Sequence, residues 1–226
     1  MSAILTNFGE RYDDDDTSHY QHGIPGIPTD GKVVLLKNSK LKSNVYLVGT
    51  NHMSKESADT VKKVINYVRP NAVAIELCEQ RADLKNSETE DVNLFKVFCN
   101  CMLRPGKLPM KIHLFAEACW KLRLQAACID SGLEFKVAMQ EASKIRARCF
   151  FIDEDIDVTY EKMSKVFSWV LLWEHLFAEV DYTRASLRED KANEKKQYPE
   201  FMKVVDDDRE KFMFEKIRTI RKKKLW

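Results

Sequence analysis

The chain has 226 residues, 44% hydrophobic and 32% charged, with a net charge of +2. That is enough apolar content for one globular domain with a real core, and a charge so close to balance excludes a chain-wide nucleic-acid or acidic-partner footprint. The six cysteines, Cys78, Cys99, Cys101, Cys119, Cys128 and Cys149, have no framework spacing, which excludes a disulfide scaffold and points to reduced thiols in an intracellular, cytoplasmic protein without a secretory leader.

Residues 1–31 are poor in branched aliphatics and carry Asp13–Asp16 in a row, then Gly23, Pro25, Gly26 and Pro28, and are expected to form a disordered acidic tail. The domain is expected over 32–217. Val33–Leu36 reads as a first strand, Lys37–Asn44 as a polar turn and Val45–Gly49 as a second strand. Ser54 is placed to cap a helix in which Ala58, Val61, Val64, Ile65 and Val68 share one face. Arg69-Pro70 stops it, because proline disfavours helical geometry in the residue before it. Ala72–Leu77 is the next strand, so strand, helix and strand make a right-handed βαβ unit.

Asp91–Ile145 is helical in pattern, punctuated by Pro105-Gly106 and Ser131-Gly132, with Met110–Cys128 as a long amphipathic stretch. Ala147–Ile152 is a further buried-type strand, ending at Asp153. Val158–Leu176 is helical and richly apolar; its run VFSWVLLW at Val166–Trp173 is too short to cross a bilayer, which takes about 20 residues. Arg184–Lys196 is a solvated helix or a linker. Pro199 suits the first position of a last helix with Phe201, Val204, Val205, Phe212, Met213 and Ile217 on one face, and 218–226 is a basic stub.

Val45–His52 (VYLVGTNH) and Ala72–Cys78 (AVAIELC) both end abruptly in polar residues, as buried parallel strands do at the ligand-binding edge of an α/β sheet. That edge would bring His52 and Glu76 side by side, and a histidine beside a carboxylate binds a metal or moves a proton. A buried histidine bonded to a loop carbonyl explains His52 equally well. Arg81 is a candidate ion-pair partner for Glu76, since glutamate is rarely buried alone. Asp153 is a carboxylate at the end of a third strand, or else a helix cap. His113 with Glu117, and His175 with Glu179, have the i,i+4 spacing of zinc ligands, but solvated helix faces produce such pairs constantly. Cys99-x-Cys101 has no second pair to complete a metal site. Lys216–Lys224 holds six basic residues and no acid, a candidate peripheral contact with an anionic membrane.

VYLVGTNHMSKES and VRPNAVAIELCEQR resemble the opening of the TraB domain (the TraB/PrgY group, distantly similar to the Tiki metalloproteases). The likeness continues through GLEFKVAMQEA at Gly132–Ala142, FIDEDIDVT around Ile152 and PEFMKVVDDDREKFM at Pro199–Met213. It implies an α/β fold with a small, mainly parallel sheet, flanking helices and a helical insertion. It also implies a metal-dependent, peptidase-like hydrolase site with His52 and Glu76 as catalytic and metal-binding residues around a divalent metal. Arg81, Asp153 and Arg209 fall on its polar motif positions as substrate-binding candidates. A peptide or protein partner, and a location at the mitochondrial outer membrane, follow from the same resemblance; nucleic acid and a transmembrane segment do not. The sequence departs from the family at Glu154 and Lys136, where arginine is usual, and the family's second G-x-x-H is not among its residues, so a C-terminally truncated version is expected. The alternative is a non-enzymatic interaction or membrane-tethering domain built on the retained cleft.

Overall fold

The computed structural model describes residues 21–38, 43–86, 93–126, 132–177 and 184–222; the expected run of aspartates at Asp13–Asp16 and the end of the basic stub lie outside them. The elements in chain order are β1 (Val33–Asn38), β2 (Ser43–Val48), α1 (Lys55–Val68), β3 (Ala72–Ile75), α2 (Glu79–Asn86), α3 (Leu94–Leu103), α4 (Leu108–Ala126) and α5 (Leu133–Lys144). They continue with β4 (Arg148–Phe151), α6 (Ile156–Val166), α7 (Trp169–Phe177), α8 (Arg184–Gln197), α9 (Pro199–Met202), a π-helical turn at Lys203–Asp207, and α10 (Asp208–Lys222). The domain expected over 32–217 divides into two compact units: Met1–Asn86, Asp130–Asp153 and Phe212–Trp226 form one, Ser87–Ile129 and Glu154–Lys211 the other.

The first unit is the α/β part. β1 and β2 form an antiparallel pair from Val33↔Val48 to Asn38↔Ser43, as the short connection between them dictates. β3 and β4 form a parallel pair from Ala72↔Arg148 to Ile75↔Phe151. The expected βαβ unit across α1 is therefore corrected: the hydrogen-bonded pairs are β1–β2 and β3–β4, and the parallel crossover runs from β3 to β4. The strands nevertheless act as one layer. Tyr46 and Val48 of β2, Val73 and Ile75 of β3, and Cys149 and Phe151 of β4 pack with Val61, Val64, Ile65, Phe135, Ala138 and Ala142 of α1 and α5. The intervening residues, Val45, Leu47, Ala74 and Phe150, pack with Ile217 and Ile220 of α10. Period-two alternation thus sends one face of β2, β3 and β4 to α1 and α5 and the other to α10.

Ser54 occupies the N-cap of α1 as expected, though its side chain makes no capping bond there, and Arg69 closes the helix in a left-handed conformation with its N–H on Ile65 O. Ile24 and Ile27, read from sequence as part of the tail, are buried in the first unit's core. The buried His22 ring makes this possible by accepting from the Ile24 N–H (3.1 Å) and bonding Pro28 O (3.3 Å), which folds the Gly-Pro segment into a turn.

The second unit is helical. Cys101, Met110, Leu114, Phe167, Leu171, Leu172, Phe201 and Met202 form its core. The single helix expected over Val158–Leu176 is two, α6 and α7. Phe167 adopts extended backbone to drive its ring inward, and Ser168 Oγ accepts from the Leu171 N–H (3.2 Å) to start the next helix. Arg184–Lys196, left between helix and linker, is helical.

Gly106 joins α3 to α4 with φ +122°, and a Cβ there would lie 2.7 Å from Ser164 Cβ. Backbone strain and collision act together, so Gly106→Ala should destabilise the second unit by about 2–3 kcal/mol or more. Urea denaturation of the two proteins checks this.

Candidate functional site

β2 delivers the chain to a loop that is tied down by its own polar groups. Ser57 Oγ accepts from the Asn51 N–H (2.9 Å), and Asn51 Oδ1 accepts from the Met53 N–H (3.0 Å). His52, between them, is fastened to the start of α5. Its carbonyl accepts from the Gly132 N–H (2.7 Å), its Nδ1 is hydrogen-bonded to Glu134 Oε1, and its ring centroid lies 5.0 Å from that of Phe135. Gly132 holds φ +80°, the left-handed conformation that lets the chain turn into α5 directly beneath the loop.

Glu134 is fully buried, whereas the His52 side chain is 48% exposed. A carboxylate only accepts, so with Glu134 ionised Nδ1 carries the hydrogen and Nε2 is the basic nitrogen. Glu134 is also in the first turn of α5, where the helix's free N–H groups favour negative charge. Its second oxygen, Oε2, has no hydrogen-bond partner among the described residues. An acid held so deep with one oxygen unanswered costs stability. Sequence reasoning passed over Glu134. It would have stood out had the rule that flagged Glu76, an acid framed by apolar neighbours, been applied to Leu133-Glu134-Phe135.

A turn of three residues joins α5 to β4, and α5 packs on β3 and β4, so α5 runs back along the sheet and starts near the strands' carboxyl ends. At that edge the β3–β4 ladder continues through Ile152 N–H to Ile75 O (3.0 Å) and Asp153 N–H to Leu77 O (3.3 Å), so the register carried on from Ile75↔Phe151 sets Glu76 beside Ile152 and Leu77 beside Asp153. Arg81 of α2 pairs with the buried Asp153 (3.5 Å); the partner proposed for it from sequence was Glu76. Asp153 is not the cap of α6: Asp155 is, accepting from the Asp157 N–H.

Arg209 belongs to the second unit, where its guanidinium donates to Val205 O (3.4 Å). Glu154, at a usual arginine position of the family motif, is buried and accepts from Thr159 Oγ1 (3.0 Å) and from Lys162. The i,i+4 pairs suggested for zinc resolve differently. His113 packs edge-to-face on His175 (5.3 Å between centroids), and Glu179 lies outside the described residues.

A catalytic metal typically takes three protein ligands. Among the described residues no three His, Cys, Asp or Glu groups are arranged to hold one. His52 offers a single nitrogen, its other being committed to Glu134. The donor set of these residues therefore does not fit a resident metal. Nor is any described helix long and apolar enough to cross a membrane.

The sequence profile of the TraB/PrgY/gumN family matches residues 34–148. The chain is 29% identical over 215 residues to an uncharacterized protein of Methanocaldococcus jannaschii, MJ1365, covering 85% of this chain and 52% of that one. It is 29% identical over 128 residues to a mouse TraB domain-containing protein and 28% over 128 to the human one, in each case 53% of this chain and 34% of the relative. It thus spans about half the length of the archaeal protein and a third of the mammalian ones. His52, Glu76, Arg81 and Glu134 all fall within the matched stretch, and the chain belongs to the TraB/PrgY/gumN family.

Proposed function

We propose that this TraB domain is a peptidase-class hydrolase in which His52 is the proton-transfer centre and Glu134 its positioning carboxylate. The observation that carries the reading is the bond between His52 Nδ1 and the buried Glu134, which sets the ring's tautomer and orientation. In the proposed cycle Nε2 takes a proton from a water molecule whose oxygen bonds to the substrate carbonyl carbon. The imidazolium so formed is stabilised by Glu134 and then returns the proton to the leaving nitrogen as the C–N bond breaks. Glu76 is the second acid–base group of the proposal, and Arg81, braced by Asp153, is the cation for the substrate's developing or terminal negative charge.

The test is digestion of an unmodified peptide library, read by mass spectrometry, by the wild type and by His52→Ala. Cleavage products should form with the wild type and fall about 10²–10⁴-fold in the variant, the range of a general base. Cleavage that persists in His52→Ala overturns the assignment, as does cleavage by neither protein with zinc, manganese or cobalt supplied.

A further inference from the structure

α7, WVLLWEHLF, is apolar at seven of its nine positions, Glu174 and His175 being the exceptions. Leu171 and Leu172 face the second unit's core, while Trp169, Val170, Trp173, Leu176 and Phe177 are exposed on the other side, Trp173 by 67%. An exposed helix face this apolar is normally covered. Its one acid, Glu174, is half-buried and accepts from Gln197 Nε2 (3.2 Å), and none of the five exposed apolar residues carries a charge. The stripe borders a groove of about 490 Å³ lined by Leu108, Pro109, Val166, Phe167 and Trp169, with Lys107 at its rim.

We infer that this face is the interface of a symmetric dimer, covered by the same face of a second copy of the chain. Three features favour a second copy. First, Val170, Trp173 and Phe177 are spaced by three and four residues, the seam along which two helices interlock, and one stripe meeting itself satisfies both partners at once. Second, the area suffices. Trp169, Trp173 and Phe177 are 56%, 67% and 63% exposed. At roughly 150–250 Å² per aromatic side chain they leave on the order of 300–450 Å² open. Val170, Leu176 and Leu108 add on the order of 60–100 Å² each. The sum approaches the ~800 Å² per partner of a stable interface, before the groove walls are included. Third, the cations beside the start of α7 are already engaged: Lys107 donates to Lys165 O (2.7 Å) and Lys165 to Glu161 (3.0 Å). A lipid-binding face would offer such lysines to headgroups.

Light scattering and sedimentation of the 226-residue chain over a wide concentration range test this. The wild type should sediment at twice the monomer mass, and Trp173→Glu should weaken the dimer at least a hundredfold while leaving the circular dichroism unchanged, because the residue is exposed. Val170→Lys should repeat the effect, which guards against misfolding of one variant. A wild type that stays monomeric, or a dimer indifferent to both substitutions, overturns the inference. So does Trp173-dependent co-sedimentation of a monomer with vesicles of phosphatidylserine and phosphatidylcholine, which would make the face a membrane contact.

Discussion

Replacing Glu134 with leucine should abolish hydrolysis while leaving the fold as stable as before, or more so. The carboxylate is fully buried, one oxygen bonded to His52 and the other unanswered. Its desolvation is only partly repaid, and apolar replacements of comparable volume at buried ionic sites are often neutral or stabilising by about 1–4 kcal/mol. Without Glu134 the imidazole keeps its loop and its contact with Phe135 but loses the bond that selects its tautomer, and a base held in the wrong tautomer costs up to ~10⁴ in rate. Glu134→Gln should fall between, because the amide oxygen can still accept from Nδ1–H but carries no charge to stabilise an imidazolium. His52→Ala should go the other way in stability. It strands the carboxylate, a loss of about 1–3 kcal/mol, reduced from that of a fully buried pair because the ring is half exposed. Opposite stability changes with a common loss of activity would separate a functional dyad from a packing contact. Denaturation midpoints and peptide turnover on the three variants decide it, and a strongly destabilised Glu134→Leu with normal turnover would make the pair structural.

The legible parts of the sequence were those where periodicity and burial agree. Val45, Leu47, Val73, Ile75 and Phe151 read as buried strands because branched and aromatic residues fill consecutive positions, and they lie in the middle layer. The pairing of those strands was not legible, because an apolar strand covered on both faces looks the same beside any neighbour. The break at Phe167 was hidden for a similar reason: Val158–Leu176 holds no Gly or Pro, and tertiary burial of one ring sets the stop. At the site, His52 and Asp153 drew notice as polar residues at strand ends and Arg81 as a cation just beyond one, but the bonds from His52 to Glu134 and from Arg81 to Asp153 were not legible. Glu134 and Asp153 come from 82 and 72 residues further along the chain than His52 and Arg81, distances at which only the fold can decide who meets whom.

Phe167→Ala should be the most damaging change in the second unit. The side chain is almost fully buried and sits among His113 (4.9 Å between centroids), Phe201 (5.8 Å) and His175 (5.9 Å), so truncation empties a ring-sized space at a loss of about 3–5 kcal/mol. The same cluster makes the unit's stability depend on pH. Burial, aided by the neighbouring His175, lowers the His113 pKa from its usual 6.5, with Lys121 acting in the same direction and Glu117 against it. The unfolded chain therefore binds a proton that the folded unit refuses. The stabilising contribution is complete above pH 6.5 and is lost as the pH falls through 6.5 toward the lower folded value. His113→Phe should flatten that part of the profile. Phe167→Ala should flatten it too, since water admitted to the cavity eases protonation of His113, so the variant's penalty measured at pH 5.5 should be smaller than at pH 7.5. Urea titrations at the two pH values measure the difference. An equal penalty at both would mean that the ring fills space beside His113 without controlling its solvation.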